Sequence, residues 1–141
     1  MIRGSRYVYL GASWLFVIGV MAQVFLAGMV VVARKISWND HVSLGHILAG
    51  PLLFMLVSMY LGRLPRDTKW LTWLLFINYA FQADVLIFLR VQAPVLSALH
   101  PVLALVDFAL GLALARRAIG YARQPVLRPV VQAEVPVTGS K

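Results

Sequence analysis

Cysteine is absent from the 141-residue chain, and acidic residues are scarce. Without cysteine there are no disulfides, no thiolate metal sites and no cysteine nucleophile. Only five Asp and Glu residues accompany 13 Lys and Arg residues, so the formal net charge is +8. The sequence also lacks a glycine-rich phosphate loop and a Ser-His-Asp order, which argues against nucleotide chemistry and acyl transfer.

The chain is instead rich in hydrocarbon side chains. Hydrophobic residues make up 61% of it and its mean hydropathy is +0.82, whereas soluble domains contain about 45–50% apolar residues. The charged residues lie between long apolar runs, so membrane topology explains the basic excess better than nucleic-acid binding does. We expect an all-α integral membrane protein that contacts the lipid bilayer and binds no nucleic acid.

Four apolar segments are long enough, or nearly so, to cross a bilayer as helices of about 20 residues. They cover about residues 8–33, 42–61, 70–89 and 94–115. The short links between them predict an up-down four-helix bundle within residues 1–120. The first run exceeds the apolar core of a signal peptide, so we interpret it as a retained helix. Residues 121–141 are rich in proline and lack periodicity, which predicts a flexible cytoplasmic tail.

The distribution of Lys and Arg predicts the orientation of these spans. All but three of the basic residues lie at the N-terminus, in the middle loop or after the fourth span. These three regions fall on the same side of the predicted membrane. The exceptions are Arg34, Lys35 and Arg90. Both termini are therefore predicted to be cytoplasmic, in an inner cell membrane.

Two histidines occupy matching places in this apolar chain. His46 and His100 each lie about one turn inside a predicted span, the second and the fourth. Ionisable groups at membrane depth are costly and are usually functional. Neutral imidazole is the commonest metal ligand, and two facing histidines supply both axial ligands of a haem. Gly50 and Ala104 follow them at helical spacing and leave space for a flat ring.

The two halves of the chain resemble each other. In each half, an apolar helix carries a glutamine near the middle of the membrane, Gln23 or Gln82. An outer loop follows, and then a helix with a histidine near its start. Two helix hairpins related by an axis along the membrane normal would bring both histidines toward one centre. The predicted fold is thus a bundle of two pseudo-repeated hairpins.

Other polar residues leave alternatives open. Arg34, Lys35 and Arg90 flank the outer loops, where they either pair with haem propionates or snorkel at helix ends. His41 is interpreted as a loop residue at the lipid headgroups, with a ligand role in place of His46 as the alternative. Pro101 leaves open whether His100 lies at the mouth of its helix.

Two aspartates lie within the predicted spans. Asp107 is interpreted as a protonated, hydrogen-bonded group or as part of a proton path. Asp84 is expected to point away from Gln82, because each helical residue turns by about 100°. It faces a partner chain, a polar rim or the surroundings of Arg90.

Short motifs suggest a family. They are Gln23-x-x-Leu26-Ala27-Gly28, His46-x-x-Ala49-Gly50 and His100-Pro101-x-x-Ala104. Over about residues 6–118 the chain resembles an uncharacterised family of small four-helix bacterial membrane proteins. Its layout resembles one four-helix half of haem A synthase and, more loosely, other membrane b-type cytochromes. The resemblance implies that His46 and His100 are axial ligands of a haem b iron. Synthase activity is not implied, because the chain has one half and no Glu–His motif.

Three hypotheses follow from these observations. The leading one is a membrane b-type cytochrome for electron transfer that serves a redox partner or a larger membrane complex. The second is a cofactor-free assembly subunit. The third is a haem- or metal-dependent enzyme that uses the three histidines with Asp84 or Asp107. Enzyme activity and a homo-oligomeric state are left open.

Overall fold

The computed structural model describes residues 1–125, which are mainly helical and contain no strand. Helix α1 spans Ile2–Gly28 and continues as the π-helical segment Met29–Ala33; α2 spans Trp38–Leu61, α3 spans Arg66–Ala80 and α4 spans His100–Arg123. Between α3 and α4 lie the π-helical segment Phe81–Val85, the short helix Leu86–Phe88 and the short helix Pro94–Ser97. The predicted all-α class is confirmed. The tail predicted from residue 121 begins later than expected, because α4 continues to Arg123, and from residue 126 onward it lies outside the described residues.

Three helical stretches are long and apolar enough to cross a membrane, namely Ile2–Ala33, Trp38–Leu61 and Pro94–Arg123. Large apolar side chains point outward from them, and Phe25, Phe54 and Leu105 are each more than 60% exposed. Exposing such surface to water is unfavourable by about 25 cal/mol per Å². The surface is therefore compatible with a membrane protein.

The third predicted span differs most from the structure. One continuous helix was expected over residues 70–89, whereas α3 has 15 residues and begins at Arg66, directly after Pro65. Proline suits this place because the first N–H groups of a helix have no partner within it. The π-helical segment that follows α3 has wider turns than an α-helix. Hydropathy does not report such a change of winding.

A capping box begins α2 four residues before its predicted start. The Ser37 hydroxyl accepts a hydrogen bond from the Asn39 N–H, and the Asp40 carboxylate accepts one from the Ser37 N–H, both at 3.2 Å. Such caps satisfy the N–H groups that lack partners at a helix start. As a result His41 belongs to the first turn of α2 and not to a loop.

Helix α1 packs against both α2 and α4. The buried core contains Tyr9, Phe16, Leu52, Met55 and Leu114. Two glycines permit the close approach of α1 to its neighbours. A Cβ atom at Gly111 would lie 3.1 Å from Cδ1 of Phe16, and one at Gly19 would collide with the Leu48 side chain. Small residues at such contacts let helix backbones pack closely.

At one end of the molecule, here called the closed end, side-chain contacts join the helices to one another. The residues that make these contacts are Arg6, Gly62, Asp67, Arg117 and Tyr121. The Arg6 side chain donates to the Gly62 carbonyl at 3.0 Å and to the Tyr121 carbonyl at 3.2 Å. Arg117 pairs with Asp67 at 2.6 Å. The start of α1 therefore meets the ends of α2 and α4, and the start of α3 meets the end of α4.

Candidate functional site

A cavity of about 640 Å³ lies at the end of the molecule opposite to the closed end, here called the cavity end. All four helices contribute to its walls. The polar side chains that line it are Gln23, His41, His46, Tyr79, Gln82, Asp84 and His100. The remaining lining is mostly apolar, with residues such as Val20, Leu48 and Phe88. Volumes of about 300–1,000 Å³ and apolar walls with few polar groups are typical of cofactor and ligand sites.

The cavity brings the three histidines of the chain together. His41 and His46 enter from α2, and His100 enters from the first residue of α4. The His41 and His100 rings lie 6.2 Å apart between centroids, at an interplanar angle of 70°. His46 is exposed, whereas His41 and His100 are partly buried. The His41 ring is thus in edge-on contact with the His100 ring.

His41 is also held by the backbone of α1. Its Nδ1 atom lies 3.1 Å from the carbonyl oxygen of Gln23. When Nδ1 carries the ring proton, it donates to this carbonyl and leaves the Nε2 lone pair free. The ring of Trp38 packs edge-on against His41 with centroids 5.6 Å apart. These contacts fix both the position and the orientation of the imidazole.

Three buried polar atoms at the cavity end have no hydrogen-bond partner within residues 1–125. They are Oε1 of Gln23, Oε1 of Gln82 and Nδ1 of His100. Buried polar atoms are nearly always paired in native proteins, because an unpaired one costs about 1–3 kcal/mol. All three belong to side chains that line the cavity. These atoms are therefore available to hydrogen-bond a polar group in the cavity.

A buried carboxylate adjoins the cavity. Asp107 on α4 is 0% exposed and accepts hydrogen bonds from both Asn78, at 2.7 Å, and Gln82. Asn78 also donates to the Leu103 carbonyl at 3.1 Å. Asp107 is thus hydrogen-bonded, which is one part of its sequence interpretation. Gln82 links this cluster to the cavity, since its other amide atom is one of those without a partner.

Tyr79 and Gly45 join α3 to α2 at the cavity wall. The Tyr79 hydroxyl donates to the Gly45 carbonyl, and its ring packs edge-on against Phe16 with centroids 5.8 Å apart. A Cβ atom at position 45 would lie 2.8 Å from Nε2 of Gln23. The missing side chain of Gly45 thus makes room for a cavity-lining glutamine.

The predicted site residues fall into two groups. His46, His100 and Ala104 line the cavity. Among the described residues that line it, Gly50, Arg34, Lys35 and Arg90 do not appear. A Cβ atom at Gly50 would meet no atom within 4 Å, so this glycine is not required by packing.

The three predicted cationic groups are exposed, and one has a structural role. Arg34 adopts a left-handed conformation, with φ of 52°, where the first helical stretch ends. Left-handed residues commonly end helices in this way. Lys35 and Arg90 are exposed side chains on the connections between helices.

The structure bears on two further predictions. His100 is the first residue of α4 and Pro101 follows in its first turn, so the alternative in which His100 lies at the helix mouth is the observed one. Asp84 and Gln82 both belong to the π-helical segment and both line the cavity, but Gln82 is buried and Asp84 is exposed. This difference in burial agrees with the expectation that the two side chains point in different directions.

A protein-only metal centre is not found in the described residues. No three His, Asp or Glu side chains of residues 1–125 are grouped so that they could hold a metal ion. A hydrolytic zinc site needs three protein ligands and an open position. The structure thus gives no support to the hypothesis of an enzyme with a three-ligand metal site.

Comparison with known proteins adds one finding. Residues 23–88 match a protein family of unknown function, DUF6220. No curated protein and no solved structure matches the chain. The comparisons show no link to haem A synthase or to membrane b-type cytochromes. The matched segment includes Gln23, His41, His46 and Gln82, and it ends before His100.

Proposed function

We propose that this protein is a membrane b-type cytochrome that holds one haem in the cavity and serves in electron transfer. One observation carries the proposal: histidines from α2 and from α4 line the same cavity of about 640 Å³. These histidines could hold a haem iron, because imidazole is a common haem ligand. The mostly apolar walls of the cavity suit a flat, largely apolar macrocycle.

The proposal includes an up-down four-helix bundle in an inner membrane with both termini in the cytoplasm. Two features support it. The start of α1 and the end of α4 meet at the closed end, where most of the basic residues also lie. Such an excess of Lys and Arg favours the cytoplasmic side. The cavity would then open in the outer half of the membrane.

The proposed pseudo-repeat also has structural support. Helix α1 and helix α3 are each followed by a π-helical segment. Gln23 of α1 and Gln82 of the second π-helical segment both line the cavity. The next long helix in each half, α2 or α4, contributes histidine. In this interpretation the two hairpins provide equivalent halves of one site.

His100 is the proposed ligand from α4, and α2 offers two candidates for the opposite side. His46 is the ligand that sequence spacing predicts. His41 has stronger local support, because its Nδ1 faces the Gln23 carbonyl and its ring faces His100. Ligating histidines generally donate their second ring N–H to a carbonyl or carboxylate, which fixes the ring and its tautomer. We therefore assign His41 as the first candidate and His46 as the second.

The protein's own residues would control the environment of the bound group. A bound haem supplies reversible one-electron transfer at its iron. The apolar walls exclude water, and the dipoles of Gln23 and Gln82 lie close to the ligands. Burial and hydrogen bonding of this kind set the reduction potential of a haem. Arg34, Lys35 and Arg90 remain predicted partners for the propionates at the outer rim.

The first test is an absorption spectrum of the purified protein, expressed with ample haem, in its oxidised and dithionite-reduced states. We expect a Soret band and sharp α and β bands on reduction, with one haem per chain. His100→Ala should abolish these bands. A folded protein that shows no Soret band after expression with ample haem would overturn the proposal.

The second test compares His41→Ala with His46→Ala, which serve as matched controls for each other. Loss of the low-spin spectrum in His41→Ala alone would identify His41 as the axial ligand. The same loss in His46→Ala alone would restore the ligand that sequence spacing predicts. Unchanged spectra in both variants would show that α2 provides no ligand. A colourless protein that co-purifies with a membrane complex would instead support the assembly-subunit hypothesis.

A further inference from the structure

A second cavity, of about 470 Å³, lies near the closed end, on the surface of the molecule between the end of α2 and α3. It is lined by Tyr60, Arg66, Lys69, Trp70, Trp73 and Ile77. The histidines belong to the other cavity, so the haem proposal does not account for this one. We refer to these six residues as the α3 groove.

The groove changes from charged to apolar along α3. Arg66 and Lys69 lie near the helix start, Trp70 and Trp73 follow, and Ile77 lies furthest along the helix. Spacings of three and four residues place them along one side of a helix. With a rise of 1.5 Å per residue, the stripe from Arg66 to Ile77 is about 16 Å long. A phospholipid has the same order, with a charged headgroup, a glycerol region and hydrocarbon chains.

The positive charges of the groove are available to a ligand. The neighbouring acidic residue, Asp67, is paired with Arg117 at 2.6 Å. Within residues 1–125, neither Arg66 nor Lys69 forms a salt bridge. The Lys69 ammonium lies 5.0 Å from the centre of the Tyr60 ring, where a cation–π contact holds it while its charge stays uncompensated. An anion at this place would therefore face two cations.

The aromatic part of the groove is fixed by its own contacts. Trp73 Nε1 donates to the Tyr60 hydroxyl at 3.1 Å, which joins the end of α2 to α3. Trp70 and Ile77 are 64% and 60% exposed, so their apolar surfaces are free to contact another molecule. Tryptophan and tyrosine are enriched at the level of lipid headgroups. The geometry supports an amphipathic ligand better than a soluble anion.

We propose that the α3 groove binds one anionic phospholipid. Arg66 and Lys69 contact its phosphate, and an acyl chain lies along Trp70, Trp73 and Ile77. Basic pockets between helices at the cytoplasmic side are suited to anionic lipid headgroups. This lipid site is independent of the haem site and of its ligands.

The test measures lipid retention by native mass spectrometry of the full chain in detergent, with phosphatidylglycerol or phosphatidylcholine added. We expect one phosphatidylglycerol to be retained roughly tenfold better than phosphatidylcholine. The double variant Arg66→Gln/Lys69→Gln should lose this preference. The control Arg116→Gln/Arg123→Gln removes two exposed charges from the same end and should keep it. Trp70→Ala should weaken retention of the anionic lipid without changing the net charge.

Three results would overturn the proposal. One is equal retention of the two lipids by the native chain. Another is an equal loss in the control variant, which would show that general positive charge causes the retention. The third is displacement of the bound lipid by millimolar inorganic phosphate, which would identify a simple anion site. Circular dichroism of each variant confirms that the helices are intact.

Discussion

The closed end and the cavity end treat polar groups in opposite ways. At the closed end, Arg6 joins the carbonyls of Gly62 and Tyr121, and the Tyr9 hydroxyl pairs with Thr72 at 2.6 Å. At the cavity end, polar side chains line an open space and three of their atoms have no partner in residues 1–125. The first arrangement stabilises the helix packing. The second leaves polar atoms at the cavity, where they can contact a bound group.

The largest expected loss of stability comes from Tyr9→Ala. Tyr9 is 0% exposed, and removing a buried aromatic ring costs about 3–5 kcal/mol in a protein core. Unfolding by sodium dodecyl sulfate, followed by circular dichroism, measures this change. The matched variant Tyr9→Phe keeps the packing and loses only the Thr72 contact, so it should cost about 1 kcal/mol. Equal losses for both variants would show that the hydroxyl, and not packing, stabilises this end.

Asp107→Ala is expected to have the next largest effect. It leaves the amides of two residues, Asn78 and Gln82, without their shared acceptor, and each buried group left unpaired costs about 1–3 kcal/mol. The same unfolding titration measures this cost. Asp107→Asn keeps one acceptor oxygen and should retain part of the stability. A fully stable Asp107→Ala would contradict the view that this cluster joins α3 to α4.

Arg6→Gln tests the closed end directly. Its charged hydrogen bonds to two helix ends are together worth about 1.5–3 kcal/mol, because they compensate carbonyls that lack partners and the negative ends of the helix dipoles. The exposed residue Arg3 provides a control with the same charge change, and Arg3→Gln should shift stability by less than about 0.5 kcal/mol. Similar losses of stability in both variants would show that the effect of Arg6 comes from its charge and not from its hydrogen bonds.

The smallest change is expected from His46→Ala at the cavity end. His46 is exposed and forms no hydrogen bond within residues 1–125, so its removal should change stability by less than about 0.5 kcal/mol in the ligand-free protein. Thermal unfolding followed by tryptophan fluorescence checks this. A loss above 1 kcal/mol would mean that this exposed, cavity-lining side chain also contributes to stability, as the buried Asp107 does.

Hydropathy predicted the helical class and three of the helices, because long apolar runs are a direct consequence of lipid solvation. It did not predict where the helices begin. Ser37 and Asp40 extend α2 to Trp38 by hydrogen bonds, and these contribute little to a hydropathy average. Hydropathy likewise does not predict the change from α-helix to π-helix after Ala80, because apolar residues are found in both.

The candidate site was predictable in part. Matching depths placed His46 and His100 at one end, and the structure brings them to one cavity. Sequence spacing favours His41 less, because its five-residue separation from His46 is a poor same-face spacing within a helix. Its contacts are made instead to α1 and α4. Spacing along one helix carries no information about such neighbours, and the same applies to the unpartnered atoms of Gln23 and Gln82.

The absent side chain of Gly45 has a consequence for the placement of a neighbouring polar group. A methyl group at position 45 would lie 2.8 Å from Nε2 of Gln23, which is the far end of a flexible side chain. Gly45→Ala would therefore displace the Gln23 amide from its present place in the cavity wall. Position 45 thus governs where a cavity-lining amide lies, although it contributes no side-chain polar atom of its own.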